Sequence, residues 1–142
     1  NNNRIALLFS NNTNIIRTQV LSNNSLDVLI DKPITTTQSN KFAFSYNQND
    51  FRFWINGIEV GTDTSGNTPI GLNSLQFNSG SGGSPFYGKV KGLAVYNEAL
   101  SESQLMQLTG VTASSIYNNF VTRTASFTVE ALNEVKKVID NL

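Results

Sequence analysis

The chain has 142 residues, of which 14% are charged, whereas ordinary domains contain about 25%. Its ten basic and ten acidic residues leave no net charge, which argues against binding to nucleic-acid backbones or anionic membranes. The sequence has no Cys and no His, which excludes disulfides, thiolate nucleophiles, zinc sites of the usual kind and imidazole catalysis. Polarity comes instead from 20 Asn and many Ser and Thr, a composition common in extracellular adhesive proteins.

The length is that of one ordinary domain, which buries roughly two-thirds of its unfolded surface. No apolar run approaches about 18 residues, so no membrane insertion is predicted. The chain starts at Asn1 without an initiator Met, and we expect it to be a processed product or a piece of a longer polypeptide.

The first half consists of short runs that alternate apolar and polar residues, which is typical of β-strands. Clusters of Asn, Ser, Gly and Thr separate these runs. The dipeptide Asn56-Gly57 is the strongest hairpin signal in the chain. Strands are predicted over residues 4–9, 14–21, 26–30, 41–46, 51–55 and 58–60, with a loop or irregular edge over 34–40.

The second half adds predicted strands over residues 75–78, 86–97 and 115–122, and two predicted helices. Glycines at 88 and 92 indicate a bulge within the long strand. Ser101 and Gln104 form a capping-box pattern, which opens a short helix ending near Thr109-Gly110. An amphipathic helix is predicted over about 128–141 from apolar residues at helical spacing.

These elements predict a mainly β protein, an antiparallel two-sheet jelly-roll sandwich with a short capped helix and a C-terminal amphipathic helix. We divide the chain into a sandwich over residues 1–110 and a C-terminal extension over 111–142. The C-terminal helix has two interpretations, which are docking on the sandwich to close an exposed edge and packing against copies of itself. Docking is favoured because about 14 residues is short for an independent coiled coil.

Two segments carry a family resemblance, KFAFSYNQNDFRFWINGIEVGTDTSG over residues 41–66 and PFYGKVKGLAVYNEALSESQLMQLTG over 85–110. They resemble the concanavalin A-like, laminin-G or pentraxin-type jelly roll, over about residues 4–110. The second segment is the more specific, since it joins a bulged strand, a turn and a capped helix. The resemblance implies secreted glycan-binding modules, adhesion proteins, or tail and head fibres of bacteriophages.

The sequence departs from this family in two ways. Complete folds of this type have a further N-terminal strand before residue 4, and we expect an upstream segment or a neighbouring subunit to supply it. The related laminarinase-type hydrolases carry a Glu-x-Asp-x-x-Glu strand, which is absent here. The remaining close acidic pairs outside the last helix are Asp27 with Asp31 and Glu98 with Glu102, and we predict no enzymatic activity.

Trp54 is the first candidate for carbohydrate binding. If Phe51, Phe53 and Ile55 face the core, then Arg52, Trp54 and Asn56 point to the opposite face of the strand. An exposed indole beside an amide and a guanidinium would form a sugar platform. In the alternative interpretation, which we favour, a helix, sheet or subunit covers this face and Trp54 is a core residue.

Two further candidate sites each have a functional and a purely structural interpretation. Tyr87 with Lys89 and Lys91 forms a second candidate sugar-binding cluster. Asp50, Asp63 and Asn49 lie in predicted turns and could bind calcium, although Asx residues also occur in turns for hydrogen-bonding reasons alone. No other cofactor is predicted.

The predicted function is a non-enzymatic module of a virion fibre or similar surface appendage, extracellular or part of a virion. It would bind a host-surface glycan or receptor and work in a homo-oligomer such as a trimer, without nucleic-acid partners. The alternatives are a secreted carbohydrate-binding module of a polysaccharide-degrading enzyme and a purely structural decoration protein without ligand.

Overall fold

The computed structural model describes residues 3–10, 14–78 and 85–110. Within them the chain forms short strands followed by one helix, and no helix there is long and apolar enough to cross a membrane. The predicted strand over 115–122 and the predicted helix over 128–141 lie outside the described residues. The elements are β1 (Arg4–Phe9), β2 (Ile15–Ser22), β3 (Ser25–Pro33), β4 (Phe42–Asn47), β5 (Asp50–Ile55), β6 (Ile58–Asp63) and α1 (Glu102–Thr109).

The six strands form two three-stranded antiparallel sheets, with the order β1-β2-β3 in sheet A and β4-β5-β6 in sheet B. Each sheet is a meander, because neighbouring strands in it are consecutive in the chain. Asn23 and Asn24 turn β2 into β3 with φ of 49° and 66°, and Asn56 and Gly57 turn β5 into β6 with φ of 51° and 82°. Asn and Gly tolerate positive φ, so these residues favour the primed turns that fit twisted hairpins. The predicted hairpin at Asn56-Gly57 is confirmed.

The core lies between the two sheets and is built by alternation along the strands. In β2 the inward residues Ile16, Thr18 and Val20 are buried, while the residues between them are only partly covered. The core residues are Ile16, Val20, Val28, Ile30, Phe51, Phe53 and Ile55, with Phe42, Phe44 and Tyr46 packed against them. This pattern confirms the mainly β sandwich with a short capped helix.

The two sheets approach closely where β3 contacts β6. Gly61 permits this approach, because a Cβ added there would lie 2.6 Å from Cγ2 of Ile30 and 3.1 Å from Cε of Lys32. The opposite side of the sandwich is bounded by β1 and β4, each at the end of its sheet.

Helix α1 begins at the capping box that the sequence predicts. The Ser101 hydroxyl accepts from the backbone N–H of Gln104, and the Gln104 side chain accepts from the backbone N–H of Ser101, which completes the capping box. The helix ends at Thr109, as predicted.

Two predicted strands are wrong. Residues 75–78 and 86–97 are irregular, and they lie outside both sheets. Their alternation is strand-like, but a strand exists only when a neighbouring strand accepts its backbone hydrogen bonds. The bond from the Phe86 N–H to the Phe77 carbonyl (3.0 Å) is the backbone link that joins these segments. Gly88 and Gly92 further weaken an extended conformation.

Gly61→Ala tests the close approach of the sheets. The added methyl must displace the Ile30 side chain, so we expect a loss of about 1–3 kcal/mol in the free energy of unfolding. Gly92→Ala is the matched control, because a Cβ there meets nothing within 4 Å. Urea unfolding measures both variants. Equal stability of the two variants would show that the sheets do not constrain position 61.

Candidate functional site

The first candidate site is the outer face of β5, which carries Arg52, Trp54 and Asn56. Helix α1 contacts β4, β5 and β6 and so lies on sheet B. Trp54 is only 7% exposed. It does not belong to the core cluster that fills the space between the two sheets. This is expected for a residue on the outer face of sheet B, under helix α1. The helix in turn buries Leu105 and Thr109. An exposed indole platform is therefore wrong, and the covered alternative describes Trp54.

Arg52 joins sheet B to the start of the helix. Its Nε lies 2.8 Å from Oδ1 of Asp50, and its Nη1 bonds to the carboxylate of Glu102, the first residue of α1. Glu59 on β6 is a further neighbour, 3.7 Å from the guanidinium. The carboxylates of Asp50 and Glu102 raise the pKa of Arg52, chiefly through the hydrogen bond that Arg52 donates to Asp50. The guanidinium is thus already engaged by protein carboxylates.

The side chain of Asn56, like that of Arg52, forms hydrogen bonds to other residues of the protein. Its side-chain oxygen accepts from the backbone N–H of Lys41 at 2.8 Å, and its side-chain nitrogen donates to Oδ1 of Asn40 at 2.9 Å. Both polar ends of the amide are therefore engaged in holding the start of β4 against the hairpin turn.

The end of helix α1 docks on the same turn. The backbone N–H of Gly57 donates to Oγ1 of Thr109 at 3.1 Å, and Nζ of Lys41 donates to the carbonyl of Gly110 at 2.9 Å. Thr109 Oγ1 also donates to the carbonyl of Leu105, so this buried hydroxyl is satisfied. The Nε1 of Trp54 finds no acceptor among the described residues.

Tyr87 and Lys89 lie in the irregular segment and are exposed. Tyr87 is 91% exposed, far more than any other large apolar or aromatic side chain described. Lys91 is exposed as well, on the same stretch. The structure thus separates the two clusters that the sequence proposed, one covered by a helix and one open to solvent.

Of the three calcium candidates, Asp50 and Asp63 do not face each other, and Oδ1 of Asn49 accepts from the backbone N–H of Gly66 at 3.1 Å. Asp50 lies on the face of Arg52, whereas Asp63 pairs with Phe51 in the ladder and shares the face of that core residue. The Asp63 carboxylate accepts from the backbone N–H and the hydroxyl of Ser65, at 3.0 and 3.1 Å. Across residues 3–10, 14–78 and 85–110, no group of three or more acidic residues could hold a metal ion.

Asp27 and Asp31, the first acidic pair noted in the sequence, have separate structural partners. Asp31 forms a two-pronged bond with Arg17, with both oxygens at 2.7 Å from guanidinium nitrogens. Asp27 accepts from Ser22 and, through its other oxygen, from the backbone and side chain of Asn67. These bonds lower the pKa of both carboxyls, through Arg17 for Asp31 and chiefly through the Ser22 hydroxyl for Asp27.

A general acid needs a raised pKa, so these two carboxyls are unsuited to that role. Asp27 instead ties the β2–β3 hairpin to the loop after β6. Sequence reasoning missed this role, because nothing in the chain order relates Asp27 to Asn67.

The structure also places together three aromatic residues that the sequence did not single out. Phe9 at the end of β1 stacks on Phe86 with ring centroids 6.5 Å apart, and Phe77 lies 6.4 Å from Phe86. We call Leu7, Phe9, Phe77 and Phe86 the open-edge cluster, and each is more than two-fifths exposed. Alternation along β1 was the available signal, since it places Leu7 and Phe9 on one face.

Comparison with known proteins identifies the class. Residues 1–106 match the family described as the concanavalin A-like lectin/glucanases superfamily, of the laminin-G type. The chain therefore belongs to this superfamily, as the resemblance in its sequence implied.

The other comparisons add little. No curated protein matches the chain. Among solved structures, the chain is similar to an S-layer domain-containing protein (residues 221–444) from Clostridium thermocellum, at 18% identity and a TM-score of 0.43. That match covers 78% of this chain and 58% of the other, so the chain spans less than two-thirds of its relative's length.

Trp54 reports the docking of helix α1. The chain has one Trp, and we expect acrylamide to quench its fluorescence only weakly in the native state. Arg52→Met removes the tie to Glu102, so quenching should rise while the fold persists. Arg17→Met is the matched control, because Arg17 is about as exposed as Arg52 and also bonds a carboxylate, on sheet A. Unchanged quenching in Arg52→Met would show that the ion pair does not hold the helix.

The lowered carboxyl pKa values predict acid sensitivity. Because the folded-state pKa of Asp31 lies below its unfolded value, its contribution is complete above about pH 4 and is lost as the pH falls through the folded pKa. The melting temperature should therefore fall between about pH 5 and pH 2.5. Asp31→Asn should be less stable at neutral pH and show a smaller acid-induced decrease, measured by thermal unfolding. An identical decrease in the variant would contradict the linkage.

Proposed function

We propose that this chain is a non-enzymatic binding module that recognises host-surface glycans from a virion fibre or a similar surface appendage. It would act outside the cell or on a virion, within a homo-oligomer. The superfamily includes glycosidases as well as lectins, so the proposal depends on the residues of this chain.

The observation that carries the proposal is the exposure of Tyr87. A phenol ring presents an apolar face and a polar tip, which suits a pyranose whose C–H groups stack on the ring while its hydroxyls form hydrogen bonds. Exposed Lys89 lies two residues further along and offers donors for sugar hydroxyls or an acidic sugar group. Trp54, Arg52 and Asn56 do not form this platform, because the helix and its ties occupy them.

The described carboxylates support the non-enzymatic part of the proposal. Asp27 and Asp31 hold structural partners with lowered pKa values, and Glu102 bonds Arg52. A glycosidase needs one carboxyl kept protonated near neutral pH and a second about 5–9.5 Å away. Because their pKa values are lowered, neither Asp27 nor Asp31 is such a protonated acid.

The carbohydrate-binding module of a larger polysaccharide-degrading enzyme stays as the alternative, since it would use the same exposed ring. The two differ in ligand source, because a fibre binds cell-surface glycans whereas such a module binds the polymer that its enzyme degrades. Binding to whole cells and binding to insoluble polysaccharides therefore distinguish them.

Tyr87→Ala tests the platform on a glycan array. We expect loss of about tenfold in affinity for the glycans that wild type binds, about 1.4 kcal/mol, because the stacking surface is removed. Tyr87→Phe keeps the ring and should retain most of the signal. Tyr96→Ala is the control, since Tyr96 is an exposed tyrosine of the same segment.

Three results would speak against the proposal. Wild type that binds no glycan supports a purely structural module. Equal loss in Tyr87→Ala and Tyr96→Ala would point to a general effect on the segment. Release of reducing sugar from a bound glycan would show an enzyme.

A further inference from the structure

The turn between β5 and β6 contains the one Asn-Gly dipeptide of the chain, Asn56-Gly57. In such a dipeptide the backbone nitrogen of the glycine can attack Cγ of the asparagine, because glycine has no side chain to hinder the approach. A bond forms between this nitrogen and Cγ, the bond from Cγ to Nδ2 breaks, and ammonia leaves with the proton of the glycine N–H. Water then opens the resulting succinimide ring, which leaves an aspartate or an isoaspartate at this position.

The fold holds the side-chain amide of Asn56 at both of its polar ends. Its Oδ1 accepts from the backbone N–H of Lys41 at 2.8 Å, and its Nδ2 donates to Oδ1 of Asn40 at 2.9 Å. The backbone N–H of Asn56 also donates to the carbonyl of Lys41 at 3.0 Å. These bonds direct the amide toward the residues that precede β4, so its Cγ is not free to turn toward the next peptide nitrogen.

Helix α1 holds the other reacting group, the N–H of Gly57. This N–H donates to Oγ1 of Thr109 at 3.1 Å, and the same hydroxyl donates to the carbonyl of Leu105 at 2.7 Å. The end of the helix also lies against the glycine, because a Cβ added to Gly57 would be 3.0 Å from Cα of Gly110 and 3.8 Å from the carbonyl oxygen of Met106. The nitrogen that must attack is therefore both hydrogen-bonded and covered.

We propose that Asn56 is a site of spontaneous deamidation that the docked end of helix α1 keeps closed. Local opening of a short element that is held by a few bonds costs less free energy than global unfolding. Release of the helix end frees the Gly57 N–H and uncovers the turn, so conversion follows undocking of the helix rather than unfolding of the sandwich. The reaction needs water as its second reactant and no oxidant or reductant.

Conversion weakens the turn on which the helix docks. A carboxylate at position 56 lacks the donor that bonds Oδ1 of Asn40 and places a negatively charged oxygen against that acceptor. Asn40 cannot invert its amide without loss, since its Nδ2 already donates to the carbonyls of Thr35 and Gln38 at 2.8 and 3.2 Å. An isoaspartate would in addition insert a methylene carbon into the main chain of a tight turn. Either product therefore loosens the start of β4 and the docking site of the helix.

The deamidation site is separate from the proposed glycan-binding site. Tyr87 lies in the irregular segment outside both sheets, whereas Asn56 lies in the turn of sheet B. A negative glycan array would leave the expected reactivity of Asn56 unchanged, and an unreactive Asn56 would leave the array result unchanged.

Peptide mapping by mass spectrometry tests the protection on the full chain, incubated at mildly alkaline pH. We expect Asn56 in the folded wild type to convert at least about tenfold more slowly than in the same protein unfolded in urea. Asn73 is the internal reference, because it precedes Ser74 in an exposed irregular segment. Its rate should differ far less between the folded and unfolded protein.

Thr109→Val tests the role of the helix. Valine keeps the shape of threonine but removes the acceptor for the Gly57 N–H, so conversion of Asn56 should rise about two- to tenfold, as expected for the loss of one hydrogen bond. Thr109→Ser keeps the hydroxyl and should stay close to the wild-type rate. Val20→Ala is the matched control, because Val20 is fully buried in the core, and its truncation lowers global stability without contact to the turn. Circular dichroism checks that each variant is folded during the incubation.

Arg52→Met provides a second variant if Thr109→Val does not fold. It removes the bond from Arg52 to Glu102 at the start of the helix, so the helix undocks more often and conversion of Asn56 should rise. Arg17→Met, on sheet A, should leave the rate unchanged.

Three outcomes would overturn the inference. Conversion of Asn56 in the folded wild type as fast as in urea would show that the helix does not protect the turn. A wild-type rate in folded Thr109→Val, or in Arg52→Met where Thr109→Val is unfolded, would show that undocking of the helix does not control the reaction. An equal rise in Val20→Ala would show that conversion requires global unfolding.

Discussion

The packing of sheet A on sheet B is the interaction on which the rest of this structure depends. Phe51 and Phe53 of β5 are fully buried against a layer that includes Val20 and Val28. A sheet of three strands with its apolar face exposed to water is at best marginally stable. Each sheet therefore depends on the other to cover its apolar face. Gly61 sets how closely they approach on one side, where Ile30 would meet any larger residue.

Alternation along β5 determines which of its residues face away from the core. Because Phe51, Phe53 and Ile55 point inward, Arg52, Trp54 and Asn56 must point outward. An indole on that face has to be covered or to serve a ligand, and helix α1 covers it. The helix is short, so its position depends on several polar ties, from Glu102 to Arg52 at its start and from Thr109 to Gly57 at its end. Residues that resemble a sugar site in the sequence are therefore the attachment of a helix.

Sequence reasoning found the local features and missed the long-range ones. Strands β1 to β6, the Asn56-Gly57 turn and the capping box of α1 depend on neighbours in the chain, and each was predicted within a few residues. The pattern at Trp54 defined a face of β5 but not what covers it, since helix α1 begins about fifty residues later in the chain. The strand predicted over 86–97 failed because strand formation depends on a partner edge, which alternation cannot reveal. The tie between Asp27 and Asn67 gives no signal in either segment.

Strand β1 and the irregular segment 86–97 both expose large apolar side chains to solvent. The family resemblance implied a further strand before residue 4 in the chain, and among the described residues β2 is the one strand that pairs with β1. Segment 86–97 keeps the apolar alternation of a strand yet stays exposed, and Phe86 brings it to Phe9 at the end of β1. Apolar side chains exposed to water raise the free energy of the folded chain, and the contact of Phe9 with Phe86 removes part of that exposed surface. Among the described residues, the contact of β3 with β6 closes the sandwich on one side, and β1 and β4 bound the other.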